Sequence, residues 1–108
     1  MSNPTQYIIT VSADLKPLIP KFIKSRKLDM DKLVYSIERK DVSTITSIAH
    51  KIKGNAGSFG FDEFGRLAQS LEREAKTENF SKMEELINTM KDYLNNSKIV
   101  FEGEDQPA

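Results

Sequence analysis

The chain has 108 residues, 30% charged and 38% hydrophobic, with 16 basic and 16 acidic side chains, one histidine and no cysteine. That length suits one domain with a single core, and the missing cysteines exclude a disulfide framework, thiolate chemistry and, with one histidine, a structural zinc site. No apolar run approaches the roughly 18 residues of a membrane span, and no basic segment leads into an apolar one, so a cytoplasmic location without membrane contact is expected.

The first residues are polar and lead into a β-branched run, Tyr7-Ile8-Ile9-Thr10-Val11, which suits either an extended arm or a strand-like lead-in. Ser12, or Asp14 in its place, suits a helix N-cap. Beyond it Leu15, Leu18, Ile19, Phe22, Ile23, Met30, Leu33, Val34 and Ile37 recur at helical spacing. Pro17 fits a first turn, and Pro20 predicts a break or bend near 17–20 before a long helix to about residue 40. Asp41 caps a second helix, roughly 42–59, whose core stripe is Val42, Ile45, Ile48, Ala49, Ile52, Ala56 and Phe59, with Gly60 as its left-handed terminator. Asp62 caps a third helix to about 77, striped with Phe64, Leu67, Ala68, Leu71 and Ala75. A fourth, about 80 to 96, carries Phe80, Met83, Leu86, Ile87, Met90 and Leu94 inward. Ile99-Val100-Phe101 is expected to pack back as a short tail.

Residues 1–101 therefore read as one helical domain and residues 102–108 as a disordered C-terminal tail. Short turns between long amphipathic helices predict an all-α fold, an antiparallel up-down four-helix bundle with an additional short N-terminal helix or arm. Charge is uneven along it: ten basic against five acidic side chains in residues 1–60, six against eleven in 61–108. Such polarity either orients a partner or belongs to solvated helix faces. A neutral chain without a basic aromatic platform argues against nucleic acid binding, and a monomer is expected.

At 100° per residue His50 falls opposite the stripe of the second helix, surrounded by Ser43, Thr46, Ser47, Lys53, Gly54 and Gly57. The only imidazole is thus presented to solvent among short side chains. A mid-helix glycine costs about 1 kcal/mol relative to alanine, so a bare face at Gly54 and Gly57 implies close approach of another molecule. Lys53, one turn along, can reach an anion carried on the ring. In a hairpin turning near Phe61, His50 and Glu72 stand level, and Glu72 can accept from Nδ1–H, leaving Nε2 as nucleophile. Lys76 adds positive charge one turn beyond. These residues point to a histidine that receives a phosphoryl group. No carboxylate cluster is present to hold a metal, so the partner must bring the catalytic groups and the chain is a carrier.

His50-Lys51-Ile52-Lys53-Gly54, with Gly57 and Gly60 behind it, resembles the H-x-x-K-G signature of the histidine-containing phosphotransfer (HPt) domain. The likeness extends through Asp14 to Phe22, Gly60-Phe61-Asp62, Leu71-Glu72 and Tyr93-Leu94, roughly residues 10–101. It implies that His50 takes phosphate from one receiver-domain aspartate and passes it to another, that Lys53 steadies it, and that Gly54 makes room for the receiver. Many members carry Gln where Glu72 stands. The implied partners are response-regulator receiver domains and a hybrid histidine kinase, docking over Thr46, Ser47, Gly54, Gly57, Ser58 and Gln69. The implied cofactor set is none of its own, with Mg²⁺ on the receiver, and no kinase activity. The alternative is a non-phosphorylated helical-bundle module that docks a signalling partner.

Overall fold

Ser12 opens the helical part of the chain by accepting, through its hydroxyl, a hydrogen bond of 3.3 Å from the Asp14 backbone N–H. A 3₁₀ segment, Ala13–Leu18, holds Pro17, and helix α1 (Ile19–Glu38) follows with Pro20 in its first turn, where the missing N–H has no intrahelical partner to lose. The bend expected near 17–20 is thus a change from 3₁₀ to α winding. The computed structural model describes residues 6–103.

Asp41 caps α2 (Val42–Asn55): its carboxylate accepts from the Thr44 N–H at 3.1 Å and from the Thr44 hydroxyl at 2.7 Å. The single helix expected over 42–59 is shorter. After Asn55 the chain tightens into a 3₁₀ turn, Gly57–Phe59, and the Phe59 and Phe61 N–H groups both reach the Ala56 carbonyl. Gly60 then adopts φ +84°, the left-handed conformation that favours glycine. Phe61, not Asp62, stands at the N-cap position of α3 (Asp62–Lys76), and Asp62 with Glu63 puts negative charge in its first turn. Asn79 caps α4 (Phe80–Asn95) through its side-chain oxygen.

Helix α1 packs on α2 and α4, and α3 packs on α2 and α4, which closes a four-helix bundle. Leu33, Ile45, Ile52, Leu71, Met83 and Met90 fill its centre, fully buried. Phe61, at the turn between α2 and α3 as expected, is fully buried with its ring 5.0 Å from that of Phe22 and 6.4 Å from Tyr93. Leu18, expected in the core stripe, is half exposed, because the 3₁₀ winding rotates it off the face that α1 buries.

The all-α expectation needs correction. Strand β1 (Tyr7–Ser12) pairs in parallel with β2 (Ser97–Glu102), in register from Tyr7 against Ser97 to Ser12 against Glu102. The short tail expected at 99–101 is thus part of a sheet whose two strands come from opposite ends of the chain. A two-stranded ribbon is barely stable alone, and this one leans on the bundle. Ile9 and Val11 are buried, and the Tyr7 ring lies 4.6 Å from Tyr93. A Cβ on Gly60 would come within 2.8 Å of the Thr10 carbonyl oxygen, so the glycine that ends the second helical region also seats β1. Strand β2 runs through Glu102, the first residue of the tail expected to be disordered over 102–108, and residues 104–108 lie outside the described residues.

Candidate functional site

Ile45, Ile48, Ala49 and Ile52 turn one side of α2 into the core, which leaves His50 on the other side with its side chain 70% exposed. On α3, Leu71 and Ala75 do the same for Glu72, one step off the buried row. The reversal at Gly60 and Phe61 brings the two positions level. His50 Nδ1 lies 3.1 Å from Glu72 Oε2, and Lys53 Nζ lies 2.9 Å from the other carboxylate oxygen, Oε1. Glu72, its side chain 13% exposed, therefore bridges the ring and the ammonium. The hydrogen bond from Lys53 does most to hold its carboxyl below the ordinary value; burial works against this, and the bond to His50 assists. An ionised carboxylate only accepts, so Nδ1 is the donor in this contact, and in the neutral ring the lone pair is then on Nε2.

Lys53 is thus tied to Glu72 at rest, and an anion on the ring would have to compete for it. Lys53, Gln69, Glu72, Arg73 and Lys76 line one shallow cleft. Its volume, about 260 Å³, falls short of the roughly 300–1,000 Å³ usual for a small-molecule site. Arg73 is the residue that sequence reasoning passed over. Counting along α3 would have found it, since 69, 72, 73 and 76 share one helical face.

The expected docking residues surround the histidine unevenly. Ser47, Gly54, Gly57, Ser58 and Gln69 are exposed, whereas Thr46 is half-buried. Gly57 and Ser58 sit on the 3₁₀ turn beyond α2, where the helix has already tightened, and so do not continue the His50 face as a straight helix would have it. A Cβ on Gly54 would meet nothing within 4 Å, so nothing among the described residues demands glycine there. On the opposite flank Lys51 turns away from the ring: its Nζ lies 2.9 Å from Asp29 Oδ1, and Arg26 Nε lies 2.8 Å from Oδ2 of the same buried carboxylate. This triad ties α1 to α2. Among the described residues no group of three or more His, Cys, Asp or Glu side chains could hold a metal ion, and no helix is long and apolar enough to cross a membrane.

Residues 18–98 match the family model of the Hpt domain. The chain belongs to that family. Hpt domains are phosphocarriers of two-component phosphorelays, and they work with receiver and kinase partners. In this Hpt domain β1 and most of β2 lie outside the matched span. Neither the curated proteins nor the solved structures contain a match to the chain.

Proposed function

We propose that this Hpt domain relays a phosphoryl group between receiver-domain aspartates through Nε2 of His50, as a cytoplasmic carrier without kinase activity. The observation that supports it most is the exposed ring whose Nδ1 is already engaged by an ionised carboxylate. In the forward step Nε2 attacks the phosphorus of an aspartyl phosphate. The N–P bond forms, the P–O bond to the aspartate breaks, and the carboxylate leaves with the electron pair. The proton on Nδ1 stays against Glu72 throughout. In the reverse step that proton lets the ring depart as neutral imidazole. Lys53, with Lys76 and Arg73 behind it, offers positive charge to the transferred group. The chain brings no cofactor, and the Mg²⁺ that accompanies such transfers belongs to the receiver.

The helices fit an antiparallel, up-down-up-down order, which puts His50 midway along the bundle side. A receiver reaches it there over Ser47, Gly54 and Gln69, with Thr46, Gly57 and Ser58 at the margin. Incubation with a phosphorylated receiver and Mg²⁺ should place acid-labile, alkali-stable phosphate on the chain. His50→Gln should abolish the label while its far-UV circular dichroism matches the wild type. An unlabelled wild-type chain that still binds the receiver would establish the docking module instead.

A further inference from the structure

The parallel sheet stands apart from the phosphorelay reading, since it contains none of His50, Lys53 or Glu72 and most of it lies outside the span matched by the family. Its two strands are finished differently. The inward residues of β1, Ile9 and Val11, are fully covered, and its Thr10 lies against the Gly60 turn of the bundle. Those of β2, Ile99 and Phe101, are covered only in part, while the outward face is open on both strands, with Ile8 60% and Val100 37% exposed. Among the described residues no backbone hydrogen bond ties β2 to anything except β1. An edge strand of this kind is a template for another strand.

We propose that the free edge of β2 pairs, antiparallel and about a two-fold axis at Val100, with β2 of a second copy of this chain. The sequence Lys98-Ile99-Val100-Phe101-Glu102 is complementary to itself in that register. Lys98 falls opposite Glu102 of the other copy, Ile99 opposite Phe101, and Val100 opposite its own equivalent. Each interface then holds two opposite-charge pairs, two aliphatic–aromatic pairs and one valine pair, all of which favour antiparallel neighbours. Neither Lys98 nor Glu102 has an ion-pair partner among the described residues. Moving the axis to Ile99 leaves both charges without opposite partners, and moving it to Phe101 sets Glu102 against Val100 and leaves Lys98 only Glu104, beyond the strand, so the register at Val100 alone pairs both charges within β2. Antiparallel pairing of β1 centred on Ile9 offers no charge pairs at all. The contact is isologous and closes at two copies, since each β1 in the resulting four-stranded sheet is turned toward its own bundle. This departs from the monomer expected of the sequence.

A single pair of short strands buries less than a standard interface, which fits a dissociation constant on the order of 100 µM. Sedimentation equilibrium from roughly 10 µM to 1 mM should show the mass rising from one chain to two. Lys98→Glu, or Glu102→Lys, sets like charges opposite each other twice per interface and should weaken the dimer by about tenfold or more. The double exchange Lys98→Glu with Glu102→Lys restores both pairs and should return the constant to within about threefold of wild type. A wild-type chain that stays single over the whole range, assembly beyond two copies, or a double exchange no stronger than the single ones would overturn the proposal. Phosphate uptake on His50 is measured separately and is expected to be the same in all four proteins.

Discussion

Replacing Glu72 by Gln removes the negative charge that touches the His50 ring while keeping the shape and a carbonyl acceptor. Once the ring is phosphorylated on Nε2, the phosphorus lies about 7 Å from the carboxylate, given the 3.1 Å contact at Nδ1 and the width of an imidazole. A unit charge and a dianion at that separation repel by about 1 kcal/mol in a site as wet as this one. The freed Lys53 adds attraction in the same direction, because its ammonium no longer has Glu72 to hold it at 2.9 Å. The carboxylate also favours the ring-protonated form, which is the better leaving group, so its removal slows departure as well. Glu72→Gln should therefore raise the phosphorylated fraction about fivefold at equilibrium with a receiver, and lengthen the lifetime of the isolated phosphoprotein by a similar factor. The assay is phosphorylation by phosphoramidate, in which the donor's N–P bond breaks and ammonia leaves, followed by desalting and ³¹P NMR of the decay. A variant whose phosphohistidine decays as fast as wild type, or faster, would refute the electrostatic argument while leaving His50 as the acceptor.

Three further outcomes are expected. Gly54→Ala should leave the fold intact and raise helix stability by up to about 1 kcal/mol, since an added Cβ meets nothing, yet slow phosphate transfer from a receiver; thermal melting and transfer kinetics read the two effects. Gly60→Ala should destabilise by about 2 kcal/mol or more, because φ is +84° and the new Cβ would strike the Thr10 carbonyl; urea denaturation measures it. The third concerns acid. Glu72 has its folded pKa held below the unfolded value by Lys53 first, and Asp41 by its hydrogen bonds to Thr44. A depressed carboxylate contributes stability that is present above the unfolded pKa and is lost as pH falls through the folded one. Stability should thus decline below about pH 4.5, and Glu72→Gln should flatten part of that limb in pH-dependent denaturation.

Amphipathic periodicity made the four helices readable, because α1 to α4 each bury a row that repeats at three and four. Sidedness failed where winding changed. Leu18 looks like a continuation of the Ile19–Phe22 row, but 3₁₀ residues advance by a wider angle than α residues, so it emerges at the surface. The same change truncates α2 at Asn55, after which Gly57–Phe59 tightens and carries Phe61 into the core. The parallel sheet was the least readable part. Tyr7–Val11 has strand character, yet a parallel partner can sit any distance away, and the run at 98–101 is too short to announce itself. Only the folded bundle, by laying residues 7–12 alongside residues 97–102, creates the pairing.

The site divides along a similar line. The level placement of His50 and Glu72 follows from counting outward from Phe61, because a chain that reverses at one point puts equal counts side by side. The direction of Lys53 does not follow from counting. Spacing puts its ammonium within reach of the ring, but an ionised, mostly covered carboxylate one oxygen away from the same ring is a stronger attractor than a neutral imidazole. The resting structure therefore shows a closed circuit of His50, Glu72 and Lys53, with Lys51 drawn off to Asp29 on the other flank. For a phosphoryl group to gain Lys53, Glu72 must give it up, and the nearest replacement cations along the cleft are Arg73 and Lys76. Truncating both to alanine should leave Glu72 with no alternative to Lys53 and shorten the phosphohistidine lifetime. Truncating either one alone should do so less, since the remaining cation still lines the same cleft as the carboxylate.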